Sequence, residues 1–191
     1  VRAAVLAATL AELAERGCAA LTVEAVARRA GVHKTTVYRR WRDRESLVVD
    51  ALTDLIAVEV PVPDSGDVAT DLRELARALV QWLTSPGGQA VLAAVLSDTF
   101  RVPELAEVKR RFFADRFRRA EPVVTRAVAR GELPPGTDPA EVVKALIAPI
   151  YLRLLITAEP IDERTADRAA QVALAAARAG ALRSPRQDAP A

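Results

Sequence analysis

The sequence predicts an all-α chain of about nine helices, and three observations carry that reading. Aromatic residues are only 4% of the 191 positions while 51% are hydrophobic, so the core must rest on Leu, Val, Ile and Ala. Apolar residues recur at helical spacing along most of the chain. Gly and Pro gather in a few short clusters, which reads as long helices with punctuated joints. Charged residues at 27% complete the balance of a globular rather than a disordered chain. The length suits a small domain joined to a larger one.

Val5, Leu6, Leu10 and Leu13 mark the first helix, with Gly17 following as its C-cap. Thr22 is a good N-cap for a short second helix, Val23 to Ala30, with Val26, Ala27 and Ala30 facing inward. Gly31 ends it, because the left-handed turn needed there carries no Cβ penalty for glycine. After the turn Gly31-Val32-His33 comes a third helix, Lys34 to Trp41. Asp43 caps a fourth, Arg44 to Glu59, with Leu47, Val48, Ala51, Leu52 and Leu55 on one face.

The stretch Pro61-Val62-Pro63-Asp64-Ser65-Gly66 is a joint. Beyond it Leu72, Leu75, Ala76, Leu79, Val80 and Leu83 form the stripe of helix five. Ser85-Pro86-Gly87-Gly88 opens helix six, which runs to Asp98. Pro103 suits the first turn of helix seven, which continues to Gly131 and is expected to kink at Pro122. Asp138, with Pro139 behind it, starts helix eight, which runs to Ala158; helix nine spans Asp162 to Ala179. The tail from Ser184 reads as disordered.

Net charge is only +2, so its distribution matters more than its total. Arg28, Arg29, Lys34, Arg39, Arg40, Arg42 and Arg44 stand against the single acid Asp43. They fall on two short helices joined by a glycine-containing turn, the signature of a helix-turn-helix. A helix fits the major groove of B-DNA and presents three or four side chains to base edges. His33, Thr35, Thr36, Arg39 and Arg40 lie mostly on one side of the third helix, while Val37 and Trp41 can anchor the other. Arg39 is the best candidate for guanine, because its fork matches O6 and N7. Tyr38 and Trp41 also read as core aromatics, Trp41 more so. Arg28 and Arg29 are adjacent and cannot both face one groove.

The stretch from Leu21-Thr22-Val23 through Gly31-Val32-His33-Lys34-Thr35-Thr36-Val37-Tyr38-Arg39-Arg40-Trp41 to Leu47 resembles the DNA-binding domain of tetracycline-repressor (TetR-type) regulators. The resemblance is detailed over the first quarter to third of the chain. The loop Arg130-Gly131-Glu132-Leu133 extends it more weakly. It implies a DNA-binding domain over residues 1–45, a ligand-binding and dimerisation domain over 46–183, and a tail over 184–191. It further implies a dimeric repressor of palindromic operator DNA, released by a small molecule. Thr22, Lys34, Tyr38 and Arg44 join His33, Thr35, Thr36, Arg39 and Arg40 as expected DNA contacts, with Thr22, Tyr38 and Arg44 on phosphates. An activator, or a regulator without a ligand, has the same fold.

In the second domain the resemblance implies a ligand pocket. Trp82, Phe100, Phe112, Phe113, Phe117 and Tyr151 are its candidate walls, and ordinary core is the equal alternative. Helix eight is apolar almost all round, and helix nine offers the small residues Ala166, Ala169, Ala170, Ala173 and Ala177. With Tyr151 and Leu155 these look like a dimer face, or else packing within one chain. The basic run Arg101, Lys109, Arg110, Arg111, Arg116, Arg118 and Arg119 at helix seven reads as a solvated face, an acidic ligand or second DNA contact being the alternative.

One cysteine, Cys18, allows no internal disulfide and fits the cytoplasm. One histidine and one cysteine offer no metal cluster or nucleophile–base pair, and no glycine-rich phosphate loop appears. No enzyme, cofactor or metal is therefore expected. An interaction module without DNA binding is the remaining rival. The chain opens on Val1, so an initiator Met and a short leader are expected to precede it; no signal-peptide pattern is visible. The longest apolar stretch, Ala145 to Ala158, is too short to span a bilayer.

Overall fold

The apolar periodicity is realised as helices throughout. The computed structural model describes residues 1–96 and 103–184. These hold α1 (Arg2–Ala20), α2 (Val23–Arg29), α3 (Lys34–Tyr38), α4 (Arg44–Glu59), α5 (Val68–Thr84), α6 (Pro86–Leu96), α7 (Pro103–Ala129), α8 (Pro139–Leu152) and α9 (Glu163–Arg178). A π-helical turn, Arg153–Thr157, follows α8. Among the described residues there is no strand, only an isolated antiparallel bridge between Thr137 and Arg183.

The chain divides into two compact units, Val1–Glu59 with Leu83–Arg116, and Val60–Trp82 with Phe117–Ala191. In the first unit α4 packs along α1. Val5, Leu6 and Leu13 of α1 are buried, as are Leu47, Val48, Ala51 and Leu52 of α4. Fully burying each such leucine contributes about 1.5–3 kcal/mol. Outside this core Arg2 clamps α4 through Asp50 at 3.3 Å and Asp54 at 2.9 Å. Gly17 breaks α1 at φ 73° and ψ 170°, and helix resumes to Ala20. Cys18 is buried there, and burial pushes its thiol pKa up, which favours an inert packing role.

In the second unit Leu72, Leu75, Ala76 and Leu79 of α5 are buried, as are Val123, Val124 and Ala127 of α7. Pro122 lies inside α7, which continues helical to Ala129. Gly131, at φ 77°, then turns the chain so that Glu132 reaches the start of α5, accepting the Val68 N–H at 2.7 Å. Asp71 is fully buried on α5 and accepts two hydrogen bonds from Ser65, both at 2.7 Å. Arg130 approaches its other oxygen at 4.0 Å. The Arg130-Gly131-Glu132-Leu133 loop thus ties the end of α7 to the beginning of α5, with Leu133 buried beneath it.

Asp138 caps α8 through the N–H groups of Ala140 and Glu141. Helix eight stops as an α-helix at Leu152, earlier than expected, and the π turn carries the chain on to Ala158. Ala158 stands at φ 52°, the left-handed region, and Pro160 disfavours helix at Glu159. Glu159 donates its N–H to the Arg153 carbonyl at 2.9 Å and pairs with the Arg153 guanidinium at 3.2 Å. Asp162 and Thr165 form a capping box on α9. Ser184, where the sequence places the start of a disordered tail, is tied down: its N–H donates to the Gly136 carbonyl at 3.1 Å and its hydroxyl to Asp138 at 3.1 Å. The rest of the expected tail lies outside the described residues.

Candidate DNA-binding interface

Local chemistry builds the reader. The Thr22 hydroxyl accepts the Ala25 N–H at 3.2 Å and starts α2. Gly31, at φ 66°, lets the Val32 N–H return to the Ala27 carbonyl at 3.0 Å and close the turn. His33 then caps α3: its Nδ1 accepts the Thr35 N–H at 3.4 Å and lies 2.9 Å from the Thr35 hydroxyl. The sequence placed His33 among the DNA contacts and did not foresee this cap.

Helix α3 is shorter than the expected Lys34 to Trp41, ending at Tyr38. The Arg39 and Arg40 N–H groups still bond back to Thr35 and Val37, so these arginines extend the helix as a turn. Val37 is fully buried and Trp41 nearly so, as their spacing implied. Lys34, Thr35, Tyr38, Arg39 and Arg40 are exposed and Thr36 is half-buried. Tyr38 is 47% exposed, far more than a core aromatic would be, and therefore available to a phosphate.

The two adjacent arginines part company. Arg29 donates to Glu12 at 3.0 Å and to Glu15 at 2.7 Å, while Arg28 is exposed with no ion pair among the described residues. The pairing raises the Arg29 pKa, its hydrogen bonds to Glu15 and then Glu12 being the cause, and lowers that of Glu15. Arg44 is also engaged. Its guanidinium bonds Glu45 at 3.0 Å and donates to the Ala19 carbonyl at 3.4 Å. These bonds hold Arg44 against Glu45 and toward the end of α1. Asp43 caps α4 by accepting the Ser46 N–H at 2.7 Å. Its pKa is lowered by hydrogen bonds from Ser46 and by the nearby Arg111 and Arg42.

Residues 5–51 match the family described as "Bacterial regulatory proteins, tetR family", and residues 62–187 match the "Tetracyclin repressor-like, C-terminal domain". The chain belongs to the TetR family. It is 36% identical over 163 residues to the HTH-type transcriptional regulator AqdR of Rhodococcus erythropolis, covering 83% of this chain and 77% of that one. It is 29% identical over 160 residues to the HTH-type regulator YdeS of Bacillus subtilis (strain 168), covering 84% and 81%. The crystal structure of the TetR family transcription regulator SCO0332 superposes with a TM-score of 0.75 at 32% identity, covering 91% of this chain and 96% of that one. The protein is thus a helix-turn-helix transcriptional regulator, of a non-enzymatic class.

The remaining expected sites of this TetR-family chain lie along α5 to α9. Phe112 and Phe113 belong to the first unit, with ring centroids 5.2 Å apart and planes at 77°. Trp82, Phe117 and Tyr151 belong to the second. Trp82 and Phe112 are buried, while Phe113, Phe117 and Tyr151 are half-buried. Phe100 lies outside the described residues. The basic run on α7 is not a bare solvated face: Arg111 donates to the Ser46 hydroxyl at 3.4 Å.

The alanine stripe lies inward. Ala166, Ala169, Ala170, Ala173 and Ala177 are all buried within the single chain, where α9 packs on α8. Small side chains permit that close approach of α9 to α8. Exposed apolar side chains lie elsewhere: Leu152, Leu155 and Ile156 where α8 passes into the π turn, and Val172 on the outer side of α9. Among the described residues no helix is long and apolar enough to cross a membrane.

Sequence reasoning missed three acids that organise these sites: Glu12, Asp50 and Glu132. Glu12 carried a usable signal, an acid one position before Leu13 on the apolar face of α1. Asp50 and Glu132 act over distances that no local pattern encodes.

Proposed function

We propose that this TetR-family regulator is a repressor that grips a two-fold symmetric operator as a homodimer and leaves it when a small, largely apolar ligand binds. The observation that supports it best is the exposed set Lys34, Thr35, Tyr38, Arg39 and Arg40 on and just after α3, projecting from a buried Val37–Trp41 anchor. Arg39 and Arg40 suit guanine edges and Tyr38 a phosphate. Arg28 extends the basic surface, and the exposed Thr22 at the start of α2 adds a polar contact beside it. Two such readers must sit one DNA turn apart, which a symmetric dimer supplies. Leu152, Leu155, Ile156 and Val172, exposed in the single chain, are the apolar surface such a dimer would cover.

For release, a ligand must bind the splayed form better than the DNA-bound one; equal affinity would shift nothing. A coupling of about 1–3 kcal/mol is typical. Within the second unit, Trp82, Phe117 and Tyr151 remain the candidate contacts. A regulator of transcription works where the DNA is, the basis for placing it in the cytoplasm. Selection from a random duplex pool tests the operator: a palindromic sequence supports the reading, and recovery of none sinks it. A thermal-shift ligand screen followed by release assays tests the sensor. Tight ligands that leave operator affinity unchanged would point to a regulator without ligand control.

A further inference from the structure

The short stretch Arg39–Arg42 leads from the recognition helix to the Asp43 cap of α4 and carries three arginines. Of its four side chains only that of Trp41 is buried. Whatever fixes the Trp41 ring therefore fixes the stretch. A buried indole has one donor and needs one acceptor. Here Nε1–H donates to Oδ2 of Asp50, two turns into α4, at 2.9 Å. A carboxylate acceptor makes this bond stronger than a neutral one and sets the ring's orientation. Arg2 holds the same carboxylate, its guanidinium lying 3.3 Å from both Asp50 oxygens. The ring so placed carries the Arg40 guanidinium 5.6 Å from its centroid. Arg2 offsets the Asp50 charge, so the basic surface is not weakened by a bare carboxylate beside it.

We propose that Asp50 is a positioning residue for operator recognition, acting through the Trp41 indole to aim Arg39 and Arg40 without touching DNA. This deepens the operator reading and rests on it. The chain from Arg2 through Asp50 to Trp41 gives α4 a direct hold on the recognition helix. A displacement of α4 would reach Arg39 and Arg40 through one hydrogen bond.

The experiment uses the full chain, the duplex that wild type selects from a random pool, and a scrambled duplex of equal length. Asp50→Ala and Trp41→Phe should each lower the preference for the selected duplex about tenfold, as loss of one charge-assisted hydrogen bond implies. Affinity for the scrambled duplex should stay near wild type, because the phosphate-facing charges remain. The double variant should lose no more than either single one. Asp50→Asn, which keeps an acceptor, should restore most of the preference and guards against misfolding of the alanine variant. An unchanged preference, equal losses on both duplexes tracking a lowered thermal midpoint, or losses that multiply in the double variant would each overturn the proposal. If wild type itself selects no sequence, the operator reading falls first and this proposal falls with it.

Discussion

Arg29 donates to the buried Glu12 carboxylate at 3.0 Å, while its neighbour Arg28 is exposed with no ion pair among the described residues. Glu12 has a side chain only 6% exposed, and Arg16 at 3.4 Å is its other cation. Removing Arg29 strands much of that buried charge, whereas removing Arg28 strands nothing.

Arg29→Ala should therefore lower the thermal midpoint, and Arg28→Ala should leave it near wild type. Arg28→Ala should instead weaken binding to all duplexes alike and reduce the salt slope of log affinity by about one. Melting curves and salt titrations on both variants check this. Equal thermal midpoints for the two would remove the distinction.

Arg39→Ala is expected to cost about 1–3 kcal/mol of operator affinity and to relax one base position. Arg39 is exposed, with no ion pair among the described residues, so the fold should not change. Repeating the duplex selection with the variant shows whether a guanine preference disappears. Retention of every preference would assign Arg39 to the phosphates instead.

The order of the helices and the reader itself were legible because both rest on local signals. Thr22, Gly31 and Asp43 are caps or turn residues whose effect spans three or four positions, and the Val37–Trp41 spacing fixes one buried edge. The length of α3 was not legible: Arg39 and Arg40 bond back as a turn, yet their side chains fit a helix equally well. The role of the alanines on α9 was left open for a related reason. A small-residue stripe says that two helices approach closely, and not whether they belong to one chain or two. Links such as Trp41 to Asp50 and Glu132 to Val68 depend on the folded path, so no window of the sequence displays them.

Glu132 gives a pH prediction. Its carboxyl is held below its ordinary 4.5 by the Val68 N–H first and Arg130 second. A carboxylate with a depressed folded value stabilises fully above the unfolded value, and that contribution fades as pH falls through the folded one. Urea midpoints measured from about pH 6 down to about pH 3 should fall for wild type. The fall should be shallower in Glu132→Gln, which starts lower because its neutral amide is a weaker acceptor for Val68 and Arg130. Parallel curves would show that the α5 cap contributes nothing to acid sensitivity.

The dimer proposal separates arginine at Leu155 or Ile156 from arginine at Ala173. Leu155 is 39% exposed and Ile156 75% exposed, so arginine at either position meets solvent in the single chain. Such variants should fold with wild-type helicity but sediment as monomers, and operator affinity should drop because two half-sites are no longer held together. Ala173 is fully buried where α9 packs on α8, so Ala173→Arg forces both volume and charge into the core. Its cost should exceed about 4 kcal/mol and yield insoluble protein rather than a soluble monomer. A stable two-fold contact of ordinary size buries about 1,600 Å² in total, more than four apolar side chains supply alone, so neighbouring polar residues of α8 and α9 must contribute its rim. Light scattering and circular dichroism on the three variants decide the matter. Wild type running as a monomer at micromolar concentration, or Leu155→Arg and Ile156→Arg remaining dimeric, would move the interface to another surface.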